Sequence, residues 1–219
     1  MQKKENQNNY IYVVLVKALT GLGKFARLTG KYEYTHIAVC LDEKLDKFYT
    51  FSRKKHYSPF DCGYMTETLD CYAFGKNKNI KLKVFKIPTS EKNKDKIEKY
   101  IKEISKDPEY IFNFYSMITM SIIHGFKIYK AHNCMSFTSK IIEMSESIKM
   151  KNPYYKYNIK ELDDLLEDYL YKEDYFKKEK IETKDYMKYI GPIKNTILFV
   201  KLNAKLLYRI IMKGNKEYD

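Results

Sequence analysis

A chain of 219 residues with 44% hydrophobic and 32% charged residues can bury a full core as one domain, and it is neither disordered nor fibrous in composition. Its net charge of +13 is almost all lysine, with Arg27, Arg53 and Arg209 as the only arginines. Lysine lacks the planar fork that grips guanine or phosphate with two bonds, so the balance argues against a dedicated nucleic-acid binder and suits an anionic surface such as lipid headgroups or wall polymers.

The four cysteines, Cys40, Cys62, Cys71 and Cys134, form no CxxC pair and no Cys/His spacing of the zinc type. Neither a metal nor another cofactor is expected, and the low cysteine density fits a reducing, cytoplasmic setting. The apolar run from Tyr10 to Val16 is stopped by Lys17, too short for a signal peptide, and no stretch reaches the length of a membrane span.

Residues 10–16 are β-branched and aromatic and predict a buried strand. The two glycines of Thr20-Gly21-Leu22-Gly23 predict a turn, too sparse for a phosphate loop, with a short helix over 24–28. Residues 34–41 and 47–52 predict a hairpin around the polar turn 42–46. If it is symmetric about Lys44, Cys40 faces Phe48, Ala38 faces Thr50 and His36 faces Ser52. The basic stretch 54–61 around Pro59 predicts an irregular loop, and Gly63 and Gly75 predict turns. Residues 80–87 alternate apolar residues with lysines and predict a strand with one solvated face.

Ser90 is a fitting N-cap for a charged helix through Ser105 with Ile97, Ile101 and Ile104 inward. Asp107-Pro108 predicts the start of a helix burying Tyr110, Phe114, Met117 and Ile118. A further charged helix is expected over 160–171. The tail, 194–213, places Ile197, Val200, Ala204, Leu207 and Ile211 on one stripe, with Lys201, Lys205 and Arg209 elsewhere. Packing of that stripe onto the domain is the simpler expectation; contact with a membrane surface is the sharper one. The chain is expected to be a single domain over 1–219, with a core over about 10–193 and this tail as an amphipathic extension.

The chemistry concentrates at Asn133-Cys134-Met135-Ser136-Phe137-Thr138. Phe137, Ile141, Met144 and Ile148 recur at helical spacing, which puts Cys134 in the first turn of an amphipathic helix closed by Asn152-Pro153. A helix start favours thiolate over thiol, as a nucleophile requires, although most cysteines in such positions are small buried hydrophobes. A nucleophile also needs a base. His132 is too near in sequence for its ring to meet the sulfur, His124 lies in an apolar stretch and His56 in a lysine-rich loop. His36 opens a buried strand opposite a polar residue, which makes it the best candidate.

Tyr34-Thr35-His36-Ile37-Ala38-Val39-Cys40-Leu41-Asp42, then Tyr49-Thr50-Phe51-Ser52-Arg53-Lys54, then Asn133-Cys134-Met135-Ser136-Phe137-Thr138 together resemble the circularly permuted papain-like cysteine hydrolases. These are relatives of the NlpC-type peptidases and the lecithin retinol acyltransferases. More narrowly, the chain is similar to uncharacterised Firmicute members in which Tyr-Ser-Phe-Gly-Arg-Lys follows the histidine strand. The resemblance covers roughly residues 10–193. It implies an α+β fold of the permuted papain-like (NlpC-like) type, an antiparallel sheet packed on the cysteine helix, with Cys134 as nucleophile and His36 as general acid/base. Ser52 takes the place of the residue that orients the histidine, and Tyr34 is a candidate oxyanion donor. The expected activity is hydrolysis of an amide, ester or thioester, of amidase or peptidase type. The alternatives are a lipid acyltransferase or thioesterase, and a non-catalytic module of the same fold that binds an anionic surface. The acyl or amide substrate is not written in these motifs, nor is the oligomeric state.

Overall fold

The computed structural model describes residues 9–18, 32–72, 79–177 and 185–214. Strands β1 (Asn9–Val16), β2 (His36–Cys40), β3 (Phe48–Lys55), β4 (Ser58–Glu67), β5 (Asn79–Thr89) and β8 (Leu170–Lys177) form one antiparallel sheet in the order β4-β3-β2-β1-β5-β8. Two-residue strands β6 (Ile111–Phe112) and β7 (Ala131–His132) form a parallel bridge. The helices are α1 (Glu91–Lys106), α2 (Phe114–Ile123), α3 (Cys134–Ser145), α4 (Ile159–Leu166) and α5 (Pro192–Met212). The architecture is α+β. The expected turn at 20–23, the short helix over 24–28 and the turn at Gly75 lie outside the described residues.

Alternation along the central strands sorts their side chains into two cores. Ile11, Val13, Leu15, Ile37, Val39 and Phe51 point to the helical side, where Ile97 and Ile101 of α1 and Phe137 and Ile141 of α3 cover them. Val14, Val16, Ala38, Phe48, Leu82 and Val84 face the other side, which is closed by Cys71, Tyr72 and Tyr186. β2 pairs with β3 through Val39 opposite Tyr49, the register of a hairpin symmetric about Lys44. Extended to the strand start, that register puts His36 across from Ser52.

The sequence expectations for these elements need five corrections. The stretch 54–61 is not a loop: β3 runs to Lys55, turns, and returns as β4, with a register shift between Arg53 and Lys55. Pro59 is tolerated because β4 is an edge strand, where a missing N–H costs no ladder bond. Gly63 is no turn but sits within β4 opposite Ser52. The helix expected from Asp107-Pro108 begins only at Phe114, because Ile111 and Phe112 pair with β7 first, and Met117 and Ile118 are exposed. Helix α3 ends at Ser145, since Glu146 adopts a left-handed φ of 58° well before Asn152-Pro153. Finally, the charged helix expected over 160–171 ends at Leu166, and the chain continues through a 3-10 turn into edge strand β8.

Ser90 caps α1 by accepting from the Asn93 N–H, as its position predicts, and Ile97, Ile101 and Ile104 are buried. The tail helix α5 packs with a different stripe from the one the sequence suggests. Leu202, Leu206 and Arg209 are buried, whereas Ile197, Val200, Leu207 and Ile211 face solvent. The reason is Arg209, whose Nη1 donates to the carbonyls of Tyr129 (3.0 Å) and Lys130 (2.9 Å) and whose Nη2 donates to that of Glu109 (2.6 Å). A guanidinium with five donors can satisfy three partly buried carbonyls where an aliphatic side chain would strand them. Arg209→Leu should therefore destabilise the protein by about 2–4 kcal/mol, measured by chemical denaturation. An unchanged midpoint would show that water replaces the guanidinium.

Candidate active site

Chain segments 111–113 and 131–133 run side by side, and each leads into a helix capped by asparagine. Asn113 accepts from the Ser116 N–H at the start of α2, and Asn133 accepts from the Ser136 N–H (2.9 Å) at the start of α3. The Asn113 N–H donates to the His132 carbonyl (2.8 Å), which ties the two helix starts together. Ser136 returns the cap by accepting from the Asn133 N–H, a complete capping box. This fixes Cys134 as the first residue of α3, buried at 8% exposure. At that position its N–H has no partner within the helix.

His36 is the first residue of β2. Alternation gives it to the face of Ala38 and Cys40, opposite the face that α3 covers. At the strand's end, however, its ring lies near enough to the sulfur for Cys134 to be among the groups that raise the His36 pKa. On its other side, His36 Nε2 meets Glu67 Oε2 at 2.8 Å. With Nε2 taken by the carboxylate, Nδ1 is the nitrogen left for sulfur.

Glu67, 3% exposed, is held by more than the histidine. Ser52 donates its hydroxyl to Oε1 (2.5 Å) and Tyr72 donates its hydroxyl to Oε2 (2.8 Å). The Tyr72 ring also lies against the His36 ring, with centroids 5.6 Å apart. Every acceptor of this buried carboxylate thus faces a donor, the condition under which a charge can be kept out of water. Burial alone would push the His36 pKa down and the Glu67 pKa up. The opposite charges and the hydrogen bonds between them outweigh it, so His36 is raised to about 10 and Glu67 is lowered. The Tyr72 pKa is pushed well above 10 by burial and by the Glu67 charge, so its hydroxyl stays a donor.

Ser52 therefore does not occupy the place the sequence suggests. It lies across from His36, but its hydroxyl belongs to Glu67, and the group on the imidazole is Glu67. Tyr34 is no oxyanion donor: its hydroxyl donates to Glu173 Oε1 of β8 at 2.7 Å. Sequence reasoning missed Glu67 because it sits past the stretch taken for a loop. Once β3 and β4 are paired, Phe48 faces Glu67, which puts a lone carboxylate on the face that carries His36 and Ser52.

The remaining histidines have other work. His132 is buried between the Tyr100 hydroxyl and Ser136 Oγ, both at 3.3 Å, and stacks on Tyr110. Burial, then Lys140 and Lys127, lowers its pKa to about 3, so it is a neutral spacer in an aromatic cage. His124 caps α2 with a left-handed φ of 51° and meets Glu161 at 3.4 Å, and the His56 ring packs edge-on against Tyr57. A groove of about 730 Å³ between α1 and the β3–β4 hairpin, lined by Tyr49, Tyr64, Asp95 and Lys99 among others, includes none of Cys134, His36 and Glu67. Among the described residues no three His, Cys, Asp or Glu side chains are grouped to hold a metal ion. No protein-family model, no curated protein and no solved structure matches this chain.

Proposed function

We propose that the chain is a thiol hydrolase of the permuted papain-like kind, acting on an amide, ester or thioester, with Cys134 as nucleophile, His36 as general acid/base and Glu67 as the residue that orients and charges the histidine. The observation that carries this reading is a histidine hydrogen-bonded through Nε2 to a buried carboxylate, with a cysteine at a helix start among the groups that raise its pKa. Ser52 and Tyr72 act one step further out, fixing the carboxylate. A non-catalytic module would need neither a buried charged pair nor a cysteine coupled to its histidine.

In this mechanism His36, charged at neutral pH, keeps its proton on Nδ1 on the side of the sulfur, and the Cys134 thiolate pair attacks the substrate carbonyl carbon, forming the C–S bond as the C=O pair moves onto oxygen. The Cys134 N–H, without a partner within the helix at the first position of α3, is the backbone donor this mechanism assigns to that oxygen. The oxyanion collapses, the bond to the leaving amine or alcohol breaks, and the imidazolium gives its proton to the leaving group. Water then attacks the thioester, passing its proton to His36, the C–S bond breaks as the tetrahedral intermediate collapses, and the acid product departs to leave thiolate and imidazolium as at the start. Glu67 stays ionised throughout; it holds Nε2–H and balances the imidazolium.

Incubating the protein with a panel of activated acyl esters and mapping the adduct by mass spectrometry tests this. A transient acyl group on Cys134, lost in Cys134→Ala together with turnover, is the expected result. Acylation of lysines alone, equal in both proteins, would remove the reading.

A further inference from the structure

Helix α5 carries two apolar stripes on opposite sides. At about 100° per residue, Leu202, Leu206 and Arg209 fall together on the packed side, and Ile193, Ile197, Val200, Ala204, Leu207 and Ile211 fall together roughly 180° away. The second stripe touches nothing that hides it: Ile193 is 77% and Ile211 75% exposed. It runs roughly 27 Å along the helix at 1.5 Å per residue. Lys194, Lys201 and Lys205, all exposed, line one edge of it. Helix α2 lies along the other edge, joined through the Tyr115 hydroxyl to Asn203 Oδ1 at 2.7 Å, and it exposes Ile118 (53%) and Ile122 (78%).

The sequence of the two helices carries charge of one sign. No Asp or Glu occurs in residues 110–142 or 186–214, which together hold α2 and α5 and nine lysines or arginines, and the Glu109 carboxylate that meets Arg209 at 3.3 Å lies on the packed side of α5. A second copy docking through the same face would bring only more lysine to it and no carboxylate to answer it. A helix with an aliphatic stripe edged by lysine and free of acid is complementary to an anionic lipid surface, where aliphatic side chains enter the headgroup boundary and lysines stay with the phosphates. Spanning is not available, since no helix of the described residues is long and apolar enough to cross a membrane.

We infer that the outward faces of α5 and α2 dock the protein flat on an anionic bilayer surface. The inference stands apart from the proposed catalysis, so Cys134→Ala should bind as the unmodified protein does.

Full-length protein sedimented with vesicles of phosphatidylcholine and phosphatidylglycerol in equal parts should pellet at low salt, be released as salt rises, and stay in solution with phosphatidylcholine alone. Lys194→Gln/Lys201→Gln/Lys205→Gln should weaken partitioning about a hundredfold. Ile193→Ser/Ile197→Ser/Val200→Ser should weaken it about tenfold or more, and neither set should move the melting temperature. Because the chain has no tryptophan, Ile197→Trp supplies a unique reporter that does not depend on lost binding. Its emission should be that of a solvated indole in buffer and shift to the blue on the mixed vesicles. No pelleting on the mixed vesicles, equal pelleting on the neutral ones, or blue emission in buffer would each overturn the inference. The last would mean that another copy or another part of the chain already covers the stripe.

Discussion

His36→Ala should slow iodoacetamide labelling of Cys134 at about pH 6 on the order of a hundredfold, the low end of what a positioned base contributes. The measurement is clean because the other three thiols do not compete. Burial, their largest perturbation, pushes Cys40 and Cys71 up to about 11 and Cys62 to about 12. In the unmodified protein one cysteine should therefore label first, and peptide mapping should place it at 134. At about pH 10, where an ordinary thiol ionises without help, the histidine variant should label nearly as fast as its parent. Ser52→Ala should do much less, since Glu67 keeps its bonds to His36 and Tyr72. If all four cysteines label slowly and alike at neutral pH, the sulfur and the imidazole do not work as a unit.

How much of this was open to sequence reasoning follows from where local pattern and packing agree. The β2–β3 register was legible because two alternating strands flank a polar turn, and Val39 does face Tyr49. The start of α3 was legible too: Asn133 is a strong cap, and the apolar period begins directly after it. Glu67 was not, since reaching it requires pairing β4, and β4 hides behind lysines and a proline that only an edge strand tolerates. The packed face of α5 could not be chosen from periodicity, because both of its sides are apolar at helical spacing. What decides it is a set of carbonyls distant in sequence, those of Glu109, Tyr129 and Lys130, which call for the Arg209 guanidinium. Periodicity reports that a face is apolar; only the rest of the chain reports whether anything covers it.

Glu67→Ala should cost about 3–5 kcal/mol of stability near pH 6, the usual penalty for removing one partner of a buried ion pair, and the cost should shrink as pH rises. The His36 pKa is raised in the folded protein to about 10, above its unfolded value near 6.5, so the stability this group contributes is complete below about pH 6.5 and is lost as pH climbs through about 10. The Glu67 pKa is lowered, so its contribution is present above its unfolded value near 4.3 and is lost as pH falls through the folded one. The pair therefore stabilises most between about pH 4.5 and 6.5. In the variant the imidazolium loses its largest support, the Glu67 charge, and the difference between the two denaturation midpoints should close by about pH 10. Glu67→Gln separates charge from hydrogen bonding: its amide oxygen can still accept from Ser52 or Tyr72, but it cannot balance an imidazolium. It should fall between the two proteins near pH 6 and converge with both at high pH. A glutamine variant as stable as the unmodified protein at every pH would mean that His36 and Glu67 meet as neutral partners, and the charged histidine would then be lost from the mechanism.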